Sequence, residues 1–498
     1  MAYLGGLACP TGWYPAHKEL CSEVLETACK ESDRFIVPMK LVMTAEGRGR
    51  RVVALLSKTS SILEVVRTMG NAFEGIAALA EKHQQVQTLM HYVNQATLAE
   101  EHGRQQKGKA VGIDGVTKEE YESHLGDNIE DLVKRMKTFS YRPQAVRRTY
   151  IPKAGSDKQR PLGIPSYEDK LVQGVMRRIL DEVYEGKFCD FSYGFRKNKS
   201  CHQAIREVNR TIMFKRVNYI VDADIKGFFD NVDHDWLMKF LEHDIGDENF
   251  LRYIRRFLKA GIVEDLTYYE SDKGTPQGGL ISPVLANVYL HYVLDIWFEK
   301  VVKQQCRGEA YIIRYADDFV SFFEYKEEAE RFYEILEERL RKFGLELSRD
   351  KSKIIRFGRN AKENSEEGRT ETFDFLGFTH INGKTRTGKY RVVHQTSKKK
   401  LAVKYQSVKE WLRKNMHGKL SDVISQLNRK LMGHYRYYGI SGNYAGIRRF
   451  YEYAAKAVYK VVNRRSQRGR MTWERYEHLL EKFPILKPKL YVSIWQMS

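Results

Sequence analysis

Apolar residues change their spacing three times along the chain. From Val52 to about Glu101 they recur every three or four positions (Leu55, Leu56, Ile62, Val65, Val66, Met69, then Leu79, Val86, Leu89, Met90, Val93), which predicts helices with one buried stripe. A Lys- and Gly-rich linker follows, ending in the turn sequence Gly112-Ile-Asp-Gly115. Helical spacing then resumes over 121–137, 169–184 and 200–213, interrupted by a short strand-like run at 147–152. Between 219 and 380 short β-rich runs alternate with helices in the manner of an α+β domain. A polar loop is expected over 359–370, and beyond 397 the pattern is helical to the end. Residues 1–50 are interrupted by glycine, hold no sustained period and close on the basic run Arg48-Gly-Arg-Arg51, so they read as an extension of unassigned purpose. With 498 residues, two to four packed units are expected, because single domains usually run to about 100–200.

Two strand-like runs break the apolar pattern with acids. In Tyr219-Ile-Val-Asp-Ala-Asp-Ile225 the period of two puts Asp222 and Asp224 on one face with Ile220. Carboxylates on a half-buried face need partners, since an unpaired buried charge is costly. A Lys or Arg partner accounts for them as well as a ligand does. In the second run, β-prone stretches flank Tyr315-Ala-Asp-Asp318, which has the length of a hairpin with acids at its tip. Asp is common in turns for its own reasons, but Phe319 and Val320 follow at once, so Asp318 does not sit in a polar loop. If the tip lies beside the end of the first strand, Asp224, Asp317 and Asp318 converge, and such a cluster repels itself unless hard cations such as Mg²⁺ fill it.

In this order, Asp224-Ile-Lys-Gly-Phe-Phe-Asp-Asn-Val-Asp-His234, Gly274-Thr-Pro-Gln-Gly-Gly-Leu-Ile-Ser-Pro283 and Tyr315-Ala-Asp-Asp318 resemble the active-site motifs of reverse transcriptases, specifically the bacterial group II intron kind. The resemblance implies a right-hand polymerase with fingers, palm and thumb. It also implies Asp224, Asp317 and Asp318 as catalytic ligands of two Mg²⁺ ions, with Mn²⁺ a possible substitute. Gln277 would contact the incoming dNTP, and Phe228 or Phe229, the latter favoured by its offset from Asp224, would lie beneath the sugar. Tyr150-Ile-Pro-Lys153 and Arg160-Pro-Leu-Gly-Ile-Pro165 resemble the fingers, placing Lys153 and Arg160 on the triphosphate. Ser192-Tyr-Gly-Phe-Arg196 matches the same family and puts Arg196 near template phosphate. Leu347-Ser-Arg-Asp-Lys351 resembles the motif whose lysine protonates pyrophosphate, with Lys353 an equal rival to Lys351. Phe373-Asp-Phe-Leu-Gly-Phe378 resembles the primer grip and reads equally well as an ordinary buried strand.

Charge sharpens the domain picture. The chain carries 84 Lys and Arg against 64 Asp and Glu, a net +20, and residues 391–498 alone hold 24 against 6, with fifteen aromatic rings. A nearly neutral body joined to a basic, aromatic C-terminal part points to a polyanion partner. That part resembles the thumb, or X, domain of intron maturases, whose cations (Arg429, Lys430, Arg448, Arg449, Arg464, Arg465) would meet RNA phosphate while rings stack on bases. The expected domains are an extension (1–75), fingers (76–220), palm (221–385) and thumb/X (386–498). The expected partners are an RNA template, a DNA primer, dNTPs and a group II intron RNA. No Cys/His-rich nuclease segment follows, so cleavage of target DNA is not expected. Rivals are an RNA-binding maturase that uses its polymerase little, and a domesticated or defence-associated reverse transcriptase. No membrane span is apparent, the N-terminus lacks a signal-like core, and the six cysteines form no CxxC pair, which together suggest a reduced, bacterial cytoplasmic setting. A site built on His17, Cys21 and Cys29 is too weakly indicated to pursue.

Overall fold

The computed structural model describes residues 73, 75–152, 159–265, 267–275, 278–361, 371–465 and 471–494. The expected extension over 1–75 therefore lies almost wholly outside the described residues. The architecture is a mixture of helix and sheet. Helices α1 (Ile76–Lys82), α2 (Gln95–Arg104), α3 (Lys118–Glu122) and α4 (Leu125–Lys137) open the chain. The run read as one helix over 121–137 is thus two, each with its own start. Thr117 caps α3 in a reciprocal capping box with Glu120, and the chain turns at Ser123-His124 before α4 begins.

Strands β1 (Val146–Pro152) and β2 (Gln159–Ile164) form an antiparallel hairpin, and α5 (Tyr167–Tyr184) follows, capped by Ser166. Its Leu171, Val172, Val175, Met176, Ile179 and Leu180 are all buried, because α1 and α2 pack against it on one side and later helices on the other. Next come α6 (Cys201–Phe214), β3 (Tyr219–Ala223), the short α7 (Phe228–Asn231), α8 (His234–Asp244) and α9 (Glu248–Leu258). Strands β4 (Ile262–Glu264) and β5 (Thr267–Tyr269) return to the first hairpin and complete a sheet of order β2-β1-β4-β5, in which β1 and β4 are parallel. Helix α10 (Ser282–Leu290) runs on through two π-helical turns, His291–Asp295 and Phe298–Val302, to a last turn, Lys303–Gln305.

Strands β6 (Ala310–Tyr315) and β7 (Asp318–Phe323), helix α11 (Lys326–Lys342) and strand β8 (Lys353–Arg356) complete an antiparallel central sheet of order β6-β7-β3-β8. Alternation gives this sheet two distinct faces. Val221, Ala223, Ile312, Phe319 and Phe323 join the large helical core, whereas Ile220, Ile313, Val320, Phe322 and Ile355 join a second core with α6. Strands β9 (Thr372–Phe375), β10 (Phe378–Lys384) and β11 (Tyr390–Thr396) form a separate sheet that sends Phe373 and Phe375 into that second core.

Helices α12 (Lys398–Lys414), α13 (Leu420–Tyr438), α14 (Tyr444–Arg464) and α15 (Trp473–Lys482) enclose a third core to which Ile205, Phe378 and the half-buried Leu376 contribute from the rest of the molecule. The boundary drawn at 220/221 falls inside β3, and the one at 385/386 falls between β10 and β11, which pair along their whole length. Among the described residues no helix is long and apolar enough to cross a membrane.

Candidate active site

The head of the central sheet gathers the acids. The β3–β7 register pairs Asp222 with Val320 and Ala223 with Phe319, and one further step sets Asp224 across from Asp318. On the other side of β7, Tyr315 pairs with Asp318, so Ala316 and Asp317 form a two-residue turn. Ala316 has a φ of 59°, the left-handed conformation such turns require. By strand alternation Asp222, Asp224 and Asp318 share the face that carries Ile220 and Val320.

Crowding is written into their ionisation. Burial, then repulsion from Asp317 and Asp224, pushes the Asp318 carboxyl up to about 6, although part of its side chain reaches solvent. Asp317 is raised by burial and by Asp224, against the pull of the Arg160 and Arg314 guanidinium groups. Asp222 rises to about 7, chiefly through burial, with Lys353 opposing and Asp318, Asp374 and Asp224 adding to the rise.

Four cations surround the acids. Lys351 Nζ donates to Asp224 Oδ2 from the turn Ser348–Ser352, which also pins the Asp224 backbone: Asp224 N donates to Ser352 Oγ (3.1 Å) and Ser348 N to Asp224 O (2.8 Å). Lys353 pairs in register with Asp222 on β8. Arg160 on β2 acts on Asp317 from the first sheet. Lys400, in the first turn of α12, acts on Asp318, and sequence reasoning missed it. Its only signal was the Lys398–Lys400 run immediately after Ser397.

Among the described residues no three acid, imidazole or thiol groups stand close enough to hold a metal ion as placed, and at Asp224 the Lys351 ammonium takes up the carboxylate. The donor set nevertheless fits a hard cation, because these are oxygen ligands whose carboxyls are raised partly by one another, a repulsion that positive charge relieves.

The surroundings of the acids sort the other expected residues. The loop starting at Gly274 is bound to α7, with Thr275 N donating to Phe229 O (2.7 Å) and His234 Nε2 lying 2.7 Å from Gly274 O. It also meets β2, where a Cβ on Gly278 would lie 2.3 Å from Gly163 O. Phe229 is half-buried at this junction, packed against the edge of the large core. Phe228 is not free to lie beneath a sugar: it is 2% exposed and belongs to the large core, because α7 turns it inward against Tyr289. Arg196 is a second correction. Its side chain is 4% exposed and donates to the Glu185 carboxylate and to the carbonyls of Glu185, Cys189 and Ser192, so it braces a loop and does not face a template. Lys153 and Gln277 lie outside the described residues.

Residues 151–380 match the family model described as reverse transcriptase (RNA-dependent DNA polymerase). Protein YkfC of Escherichia coli K12 is 32% identical over 315 residues, 57% of this chain and 78% of that protein. The chain belongs to the reverse transcriptase family. Its relatives within that family include the group II intron-encoded protein LtrA of Lactococcus lactis, 42% identical over 183 residues, and a putative COX1/OXI3 intron 1 protein of Saccharomyces cerevisiae, 38% identical over 172 residues. These stretches cover 37% and 34% of this chain, but only 30% of LtrA and 20% of the yeast protein.

C-terminal to the matched region, the chain presents its cations to solvent. Arg429, Lys430, Arg448, Arg449, Arg464 and Arg465 are all exposed. Arg429 joins Arg436 and Lys482 on a groove of about 700 Å³ between α13 and the 482–486 segment. The rings behave differently from the expectation that they stack on bases: Tyr435, Tyr438, Phe450 and Tyr476 fill the core, and Tyr444, Trp473 and Tyr491 are the large aromatics exposed in this unit among the described residues.

Proposed function

We propose that the chain is an RNA-directed DNA polymerase of right-hand layout. The β2-β1-β4-β5 sheet with α1–α5 serves as fingers, the central sheet as palm and α12–α15 as thumb. The observation that carries this reading is the meeting of Asp224, Asp317 and Asp318 at the head of the central sheet, with the Asp317 and Asp318 carboxyls raised by burial and by neighbouring acids and with Lys351, Arg160 and Lys400 acting on the cluster. Binding alone gives no reason to set three acids where an anionic substrate must come.

Asp224, Asp317 and Asp318 would hold two divalent ions, Mg²⁺ or in substitution Mn²⁺, which supply charge neutralisation at the transferring phosphoryl group and lower the pKa of the primer 3′-hydroxyl. The chain's own part is positioning and charge. Arg160, reaching toward Asp317 from the first sheet, grips the triphosphate. Phe229 packs under the sugar. Lys351, which donates to the Asp224 carboxylate in this structure, would be the group that gives a proton to the leaving pyrophosphate. Lys353, in register with Asp222, lies two residues back along the strand from the Asp224 position. Lys400 supports primer phosphate from the thumb side.

Primer extension on poly(rA)/oligo(dT) with dTTP and Mg²⁺ tests the reading. Synthesis that disappears with Asp317→Ala is expected, and wild-type protein silent across several templates and metals would sink it. We also propose that the C-terminal unit binds a structured intron RNA and assists its splicing, because its exposed cations far outnumber its acids. A filter-binding comparison of a group II intron RNA with an unstructured RNA of equal length checks this. Equal affinity for both would leave only generic RNA binding.

A further inference from the structure

On the opposite face of the sheet from Asp224 and Asp318, directly behind the Ala316-Asp317 turn, lies a buried polar assembly that the chemistry above does not use. Arg314 and Asp295 are each 0% exposed. Arg314 Nε donates to Asp295 Oδ1 (2.7 Å) and Nη2 to Asp295 Oδ2, while Nη1 donates to Asn287 Oδ1 (3.0 Å) and to the Ala316 carbonyl (3.0 Å). Asn287 in turn donates through Nδ2 to Gly194 O (2.7 Å). Backbone bonds join the same segments, with Tyr193 N donating to Arg314 O (2.8 Å) and Arg314 N to Phe191 O (2.9 Å). A Cβ on Gly194 would lie 2.2 Å from Ala316 N, so only glycine lets this segment close on the turn. Asp295 ends the π-helical turn His291–Asp295, a departure from α-helical register of a kind often found at functional sites.

A buried ion pair is weak as a source of stability, because apolar residues of similar volume often fill the same space at no loss. What an apolar pair cannot do is hold a carbonyl. Here the planar fork of one arginine fixes the carbonyl of a residue whose left-handed conformation aims the next side chain, Asp317. We propose that Arg314, Asp295 and Asn287 form a positioning clamp that holds the Ala316-Asp317 turn in the geometry its acids need. The proposal rests on the polymerase reading for its catalytic consequence, and for its metal-binding consequence only on the acids themselves.

The test uses the full-length chain and the double variant Arg314→Met/Asp295→Leu, which keeps the volume and removes both charges together, beside the milder Asn287→Ala. Three quantities are read: melting temperature, Mn²⁺ affinity by electron paramagnetic resonance, and kcat and KM for dTTP in primer extension. The double variant is expected to melt within a few degrees of wild type, bind Mn²⁺ at least threefold more weakly and lose at least tenfold in kcat with KM changed less than threefold. Asn287→Ala is expected to follow in the same direction with a smaller loss. Arg314→Lys, which restores charge but not the fork, is expected not to rescue. Wild-type Mn²⁺ affinity in a folded double variant overturns the clamp whether or not the protein polymerises. If the double variant does not fold, Asn287→Ala decides: full Mn²⁺ affinity and full kcat overturn the clamp. Wild-type protein that binds Mn²⁺ but never extends a primer overturns the polymerase reading instead.

Discussion

The central sheet and the C-terminal helices both depend on charge, in opposite ways. At the head of the sheet a few acids are packed so closely that burial and repulsion drive Asp318 to about 6 and Asp222 to about 7. Their cations are few and each is assigned: Lys351 to Asp224, Lys353 to Asp222, Arg160 to Asp317 and Lys400 to Asp318. From residue 391 onward the 24 cations meet only 6 acids. Among the described residues of α12–α15 the ion pairs are Arg448–Glu452 (2.8 Å) and His478–Glu481 (3.1 Å), and most of the remaining cations are exposed. Crowded charge is suited to gripping a small ion at one point. Dispersed exposed charge is suited to a long polyanion at many.

The largest expected effect tests the crowded half. Asp317→Ala should lower primer extension by about a thousandfold or more, the several kcal/mol that metal-borne charge stabilisation supplies. The same change removes one of the mutually repelling acids, so the metal-free protein should melt no lower than wild type. A variant that loses activity together with its fold would return these acids to a structural role. Next in size is Lys351→Ala, expected to lower kcat by about a hundredfold, the lower end of general acid catalysis. Lys353→Ala should cost far less, because Lys353 lies opposite Asp222 and 3.5 Å from the Thr372 carbonyl. Equal losses from the two would show that the lysines act only through the summed field.

Dispersed charge fails gradually. Changing Arg429, Lys430, Arg448 and Arg449 together to Gln should weaken RNA binding and flatten the log–log salt dependence by up to about 3–4, near 0.9 for each phosphate that is no longer neutralised. Extension of a saturating primer–template should change by less than about twofold. An unchanged salt slope would place RNA elsewhere.

How much of this was legible in the chain follows the same division. The acids were readable because Asp224 and Asp318 lie at the ends of apolar strands and Asp317 sits in a turn that runs straight into Phe319 and Val320, where a solvated loop would be ordinary. The hairpin was readable for the same reason, as two β runs flank the four residues Tyr315-Ala-Asp-Asp318. Arg196 and Phe228 were misplaced because a motif gives the order of residues but not the direction of a side chain. The α7 turn sends Phe228 inward and leaves Phe229 at the surface, and the Glu185 carboxylate claims Arg196 from a helix end eleven residues away. Lys400 and the Arg314–Asp295 pair were invisible to spacing because they meet the site across tertiary contacts. The aromatic residues of the C-terminal unit misled in another way, since Tyr435 and Tyr438, interleaved with cations in the sequence, proved to lie on the core-facing stripe of α13, while the stripe of α14 is Ile447, Phe450, Ala454, Val458, Val461 and Val462.

The smallest predicted effect separates the two halves by pH. His434, in the C-terminal core against Phe450 (ring centroids 4.1 Å apart) and Tyr438, is buried with both ring nitrogens unpartnered, and burial lowers it to about 3. His394, joined to His380 and Asn209 under β10 and β11, is lowered by burial to about 4. A depressed imidazole is neutral when folded and protonates on unfolding, so its contribution is full above the unfolded value near 6.5 and is lost as pH falls toward the folded value. Asp318 runs the other way: with its folded value raised to about 6, its contribution is present below the unfolded carboxylate value and lost as pH rises through 6. Acidification from pH 7 to 5 should therefore loosen the C-terminal helices through His434, whereas in the rest of the molecule the same loss at His394, at His102 and at His291, lowered by burial to about 4, is set against the easing of repulsion among the central acids. For His434 alone the linkage amounts to about 2 kcal/mol at pH 5. Urea unfolding at pH 7 and pH 5, followed by hydrogen exchange resolved by segment, should show α13 and α14 opening first at pH 5. His434→Phe should remove much of that sensitivity and leave β3, β6 and β7 unchanged, whereas acid sensitivity spread evenly over both halves would mean that the two share one cooperative unit and that the division between crowded and dispersed charge is not one of stability.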